Sequence, residues 1–149
     1  MSVDVLTEIE IACPAAAVSS FAADPGNAPA WYEKIKSAEW QTAPPLQVGS
    51  RVAFVAHFLG RRLAYTYEVT EYEPGARLVM RTAEGPFPME TTYTWRPAGP
   101  QRTHMTLRNR GTPSGFSRLL APLMAGAVRR ANAADLAKLK SVLEARREA

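Results

Sequence analysis

Residues 3–11, VDVLTEIEI, alternate apolar and polar side chains with β-branched enrichment, which predicts a half-buried strand with Val3, Val5, Thr7, Ile9 and Ile11 on its inner face. Pro14 then opens an alanine-rich segment running to Ala23, where Val18, Phe21 and Ala22 fall at helical spacing. Proline is favourable at a first helical turn, because its missing N–H would have no partner there. Asp24-Pro25-Gly26 ends this helix, a second short helix or turn carries Ala28 to Tyr32, and Ile35 to Thr42 reads as a weak strand stopped by Pro44-Pro45.

From Arg51 to Trp95 the period is two, punctuated at Gly60, Pro74-Gly75 and Gly85-Pro86, and reads as three strands paired antiparallel through short links. The cleanest alternation is Arg102 to Arg110, with Thr103, Met105, Leu107 and Asn109 against Arg102, His104, Thr106, Arg108 and Arg110. After Gly111-Thr112-Pro113 the pattern turns helical, with Ser114 as N-cap and an apolar stripe from Phe116, Leu119, Leu120, Leu123 and Met124 through Val128 and Ala131 to Leu136, Leu139 and Leu143. This helix runs for about 30 residues, and Pro122 inside it marks a kink or a later start.

No linker or internal repeat divides the chain, so residues 1–149 form one domain. Its sheet has one apolar face, and only the carboxy-terminal helix is long enough to lie across it. The predicted fold is α+β, a curved antiparallel sheet of about six to seven strands wrapped around that helix, with two short helices after the first strand.

Composition excludes more than it selects. The 149 residues are 46% hydrophobic and 21% charged, outside the range of disordered or fibrous chains. Cys13 is the only cysteine, which rules out an internal disulfide or redox pair and suits a reducing cytosol. The amino terminus carries Asp4, Glu8 and Glu10 in place of a basic and then apolar leader, and no stretch has the apolar length of a membrane span. A cytoplasmic location is therefore expected. The net charge of +4 is uneven: residues 1–60 hold 3 basic and 6 acidic side chains, and residues 61–149 hold 15 and 8.

Several segments together resemble the START-like (SRPBCC, helix-grip) superfamily and its polyketide cyclase/dehydrase-like group. They are Ile9 to Val18, the Trp31 segment, Val48-Gly49-Ser50-Arg51, Gly60-Arg61-Arg62, Tyr72 to Leu78 and the terminal helix. These are strand starts, turns and core positions, and none is a catalytic signature. The resemblance implies a helix-grip fold with a cavity between sheet and helix, gated by the two short helices. Pockets of this kind commonly measure ~300–1,000 Å³ and are mostly apolar with a few placed polar groups.

Alternation puts Val52, Phe54, Ala56 and Phe58 inside, then Leu63, Tyr65, Tyr67, Val69 and Glu71, then Leu78, Met80 and Thr82. Met89, Thr91, Tyr93 and Trp95 follow, facing Thr103, Met105, Leu107 and Asn109. The expected ligand-binding set is Trp31, Phe54, Tyr65, Tyr67, Met80, Met89, Tyr93, Trp95, Met105, Asn109 and Met124. Tyrosine joins a large apolar ring to one hydroxyl that needs a partner, so this lining suits a flat ligand bearing a carbonyl or hydroxyl. Methionines add an adaptable surface. Trp31 and Tyr32 border the cavity mouth, either as a lid or as a hydrophobic plug.

Glu71 and Asn109 are the inward polar residues with chemical potential, although Glu71 sits at a strand end where side chains usually reach solvent. No catalytic residue is assigned. His57 and His104 read as outward, lack the spacing of metal ligands, and imply no metal site; no cofactor is expected. Cys13 reads as structural.

Three readings of function follow, the last a purely structural protein with a filled interior. The first encloses a small hydrophobic or aromatic molecule, polyketide-like or lipid-like, with cyclase or dehydratase activity left open. The second is an interaction module using Arg81, Arg96, Arg102, Arg108 and Arg110 on the outer sheet face to bind an acidic protein, a membrane surface or nucleic acid. The inward aromatics deprive that face of base-stacking platforms, so nucleic acid is not the expected partner. A monomer or a homodimer fits equally.

Overall fold

A computed structural model of the chain describes residues 3–58, 60–85, 88–111 and 121–148. The elements, in order, are β1 (Val3–Ile11), α1 (Ala15–Ala23), a 3₁₀ turn (Pro25–Asn27), α2 (Ala28–Trp31), β2 (Ile35–Trp40), β3 (Arg51–Phe58), β4 (Arg61–Glu73), β5 (Arg77–Glu84), β6 (Met89–Gly99), β7 (Arg102–Gly111) and α3 (Ala121–Glu148). All seven strands belong to one antiparallel sheet in the order β1-β7-β6-β5-β4-β3-β2. Strands β2 to β7 form an uninterrupted meander, and β1 is added beside the last strand, with Val3 opposite Gly111 and Ile11 opposite Thr103.

Three features depart from the sequence-based expectation. Arg51 to Gly99 forms four strands and not three, because three turn signals separate four segments. Pro14 stands just before α1 in extended conformation, with φ −61° and ψ 148°, and the helical residues start at Ala15. Strand β2 stops at Trp40, two residues short of the expected end. The expected N-cap Ser114 and the apolar residues Phe116, Leu119 and Leu120 lie outside the described residues, as does the side chain of Phe58.

Inward alternation holds along β7, where Thr103, Met105, Leu107 and Asn109 are all buried. It fails at the end of β4. Val69 pairs with Met80 but Glu71 pairs with Val79, so Thr70 is an extra residue that switches the faces beyond it. Glu71 therefore points to solvent and pairs with Arg77 at 2.9 Å, while Tyr72 packs against the core. The expectation of an inward Glu71 is corrected on this ground.

The sheet curls around α3, whose buried Leu136, Leu139 and Leu143 join Ile11, Val18, Trp31, Leu78, Met105 and Leu107 in the main core. Helix α3 runs beside β1 and meets α2. Its far end is tied down by Glu144, whose carboxylate accepts the Ala12 N–H at 2.9 Å. Cys13 is buried, and its carbonyl accepts a 2.7 Å bond from Thr103 Oγ1.

Candidate functional site

The core is not filled throughout. Between the concave face of the sheet, the α1–α2 segment and α3 lies a cavity of about 150 Å³. This is smaller than the pocket the resemblance implied. An apolar void of ~150 Å³ is enough for a benzene-sized ring.

Successive strands supply the walls by alternation. Phe54 and Ala56 come from β3, Leu63, Tyr65 and Tyr67 from β4, Met80 and Thr82 from β5, Met89, Thr91 and Tyr93 from β6, and Asn109 from β7. Helix α3 closes the other side with Met124, Val128, Ala131, Asn132 and Asp135. Exposed Asp24 and Lys34 stand at the rim near α1 and α2, and exposed Arg110 stands at another edge.

Eight residues of the expected set therefore come together around the void: Phe54, Tyr65, Tyr67, Met80, Met89, Tyr93, Asn109 and Met124. Trp31, Trp95 and Met105 do not line it. They point inward but pack into solid core, with 1%, 4% and 0% exposure. Trp31 is the plug beneath the α2 segment, its ring 4.1 Å from that of Tyr32 and 5.8 Å from that of Tyr93. Tyr32 itself reaches the cavity.

The aromatic rings form one connected wall. Phe54 stacks on Tyr65 at 5.6 Å, and Tyr67 meets Phe54 and Tyr65 edge-on at 5.8 and 5.1 Å. Such offset and edge contacts suit the ring quadrupoles and stiffen the wall.

Polar atoms in the lining are organised in two chains. In the first, Thr91 Oγ1 donates to Asn109 Oδ1 at 2.6 Å and contacts the Tyr67 hydroxyl at 2.8 Å. An amide oxygen can only accept, so the single threonine proton goes to Asn109 and the Tyr67 proton must go to Thr91. Tyr67 thus keeps only lone pairs for another partner. In the second chain the hydroxyls of Tyr32 and Tyr93 lie 2.6 Å apart and join the α2 end to β6.

Among the described residues Asp135 is the one carboxylate buried in this wall, with 3% exposure. Its Oδ1 accepts the backbone N–H of Glu33 at 3.0 Å, which fastens the segment after α2 to α3. Burial pushes its carboxyl from the usual 3.8 up to about 6, a rise partly countered by the Glu33 N–H and, more weakly, by the Lys34 charge. Burial likewise raises the phenols: Tyr67 to about 12, and Tyr32, Tyr65 and Tyr93 well above the ordinary value. All four stay protonated at neutral pH.

Alternation along strands could not locate Asp135 and Asn132, because both belong to the helix. The available signal was two polar residues three apart within the apolar stripe, between Val128 and Leu139. Buried polar groups in such a stripe are uncommon without a partner or a use.

A curled sheet gripping one long helix, with short helices over an interior void, is the helix-grip architecture of START-like proteins. The chain belongs to the polyketide cyclase/dehydrase and lipid transport family, which matches residues 2–144. No curated protein matches it. Among solved structures it is similar to a Thermus thermophilus protein, with 23% identity, a TM-score of 0.78, and 95% of this chain and 97% of that one covered. It is also similar to the Zhui aromatase/cyclase of a Streptomyces species, with 17% identity, a TM-score of 0.82, and 98% and 96% covered. A START superfamily protein of Mycobacterium smegmatis gives 16% identity, a TM-score of 0.82, and 95% and 97% covered. At these identities the likeness is one of fold.

Among the described residues no three His, Cys, Asp or Glu side chains are grouped to hold a metal ion, and no helix is long and apolar enough to cross a membrane.

Proposed function

We propose that the protein binds a small hydrophobic or aromatic molecule, about the size of a single substituted ring, inside the cavity between sheet and helix. The observation that carries this reading is the void itself. A helix-gripping sheet could close on a solid core, yet here tyrosine, phenylalanine and methionine side chains surround open space. Its few polar groups, the Tyr32–Tyr93 pair, Tyr67 and Asp135, are spaced to orient a ligand that is otherwise held by apolar contact.

The family description adds cyclase or dehydratase chemistry as a finer reading, and Asp135 is the observation that favours it. A carboxyl that titrates near 6 is suited to take a proton from carbon beside a ligand carbonyl. The spare proton of the Tyr32–Tyr93 pair would then meet the developing enolate oxygen.

The basic outer face offers less support for a macromolecular partner. Arg81, Arg102, Arg108 and Arg110 are each paired with a carboxylate of the same sheet face: Glu90, Glu10, Asp4 and Glu90 respectively. Their charge is largely neutralised where a polyanion would need it.

The test is a two-dimensional amide NMR titration against single-ring and two-ring aromatics, flavonoids and fatty acids at two salt concentrations. Saturable, salt-insensitive shifts clustered on β4, β6 and the residues flanking Asp135 are expected. Absence of saturable shifts across the panel at millimolar ligand, or shifts confined to the arginine face and abolished by salt, would refute it.

A further inference from the structure

Resting on that reading of the cavity, we propose that its occupant is a small alkylammonium, a protonated amine on an aromatic or alicyclic body, held between the Asp135 carboxylate and the neighbouring tyrosine rings. Among the described residues the void contains a buried carboxylate and no resident countercharge. Asp135 makes one hydrogen bond, to the Glu33 N–H, and no ion pair among the described residues. The two cations on the lining do not serve it: Lys34 is exposed at the rim, and Arg110 is exposed with its guanidinium on Glu90 at 2.6 Å.

The remaining surface also favours a cation. Tyr67 turns only lone pairs toward a partner, because its proton is committed to Thr91. The Phe54, Tyr65 and Tyr67 rings line the void, and aromatic rings attract ammonium groups most strongly where water is excluded. Asn132 Nδ2 is unpartnered but has almost no accessible surface to offer a ligand, so the donors left to the lining are phenol protons, the spare one of the Tyr32–Tyr93 pair and that of Tyr65.

The raised carboxyl of Asp135 is what a missing partner produces, and the charge of Glu33 adds to the rise while Lys34 opposes it. The other titratable groups around it are the Tyr32, Tyr65 and Tyr93 phenols, which keep their protons throughout the range in which Asp135 titrates. An amine would therefore bind the ionised carboxylate and lose affinity in acid.

The experiment compares three probes of one size, 2-phenylethylamine, 2-phenylethanol and 3-phenylpropionate, by calorimetry and amide NMR. At pH 7.5 the amine should bind at least about tenfold more tightly than the alcohol, and the carboxylate most weakly. In Asp135→Asn the ratio of amine to alcohol affinity should fall to about one. In the unmodified protein, amine affinity should drop by about tenfold per pH unit below pH 6 while alcohol affinity holds, a readout that needs no variant. Alcohol binding equal to or tighter than amine binding overturns the ammonium proposal but leaves the cavity reading standing, as does an amine preference that survives Asp135→Asn or is flat across pH 5–8. Failure of all three probes to bind at millimolar concentration overturns both.

Discussion

Replacing Asp135 by Asn should stabilise the unliganded protein at neutral pH and do nothing comparable in acid. The folded state holds the Asp135 proton more tightly than an unfolded chain does, with the carboxyl at about 6 instead of 3.8. Below pH 3.8 both states carry the proton and the residue contributes no penalty. Between pH 3.8 and 6 the unfolded chain ionises first, so stability falls as pH rises, and above 6 the cost is complete. A shift of about two units corresponds to ~3 kcal/mol. Asparagine removes this cost but weakens the bond to the Glu33 N–H, since a neutral acceptor replaces a charged one, which returns about 1 kcal/mol. The net expectation at pH 7.5 is a gain of about 2 kcal/mol, or about 6 °C in melting temperature for a domain of this size. Urea denaturation followed by circular dichroism at pH 4 and pH 7.5 measures it. A variant less stable than the parent at pH 7.5, or a difference equal at both pH values, would refute the assignment of Asp135 as an uncompensated buried charge.

Leu139→Ala removes a fully buried side chain from the centre of the α3 contact and should cost about 2–5 kcal/mol in the same denaturation experiment. Thr91→Val leaves the Tyr67 hydroxyl and Asn109 carbonyl without their shared partner, with an expected loss of about 1–3 kcal/mol and a shifted Tyr67 ring resonance in NMR spectra. At Gly85 an added Cβ would stand 2.9 Å from the Tyr65 Cβ. Gly85→Ala should therefore displace Tyr65, cost about 1–3 kcal/mol on denaturation and weaken ligand titration more than Thr91→Val does.

Much of this architecture was legible in the sequence because burial enforces a period. On β7, one face meets the core and the other carries Arg102, His104 and Arg108 against the acidic outer face of β1, so the alternation is unbroken. The same rule failed at Glu71, since one inserted residue reverses every face after it and Thr70 carries no compositional mark of a bulge. Parity also says only that a side chain points inward. Trp31, Trp95 and Met105 obey it as fully as Tyr65 and Met80, yet the first three are packed solid and the others border open space. That distinction depends on where α2 and α3 sit over the sheet, which is decided by contacts between segments distant in sequence. Asp135 escaped notice for a related reason: within the helix it is one polar residue in an apolar stripe, and only the fold brings it opposite the tyrosines of β4 and β6.

The placement of β1 beside β7 governs when the molecule becomes itself. Six strands form by hairpin closure between sequence neighbours, whereas Val3 must find Gly111 across nearly the whole chain. Long-range pairing of this kind incurs its loop-closure entropy before any contact compensates for it, and slows folding. Helix α3 docks along that same strand, so the void is expected to close late in folding. A ligand then has nothing to grip on the way up the barrier. Its stabilisation should appear as slower unfolding at rising ligand concentration, with the refolding rate unchanged.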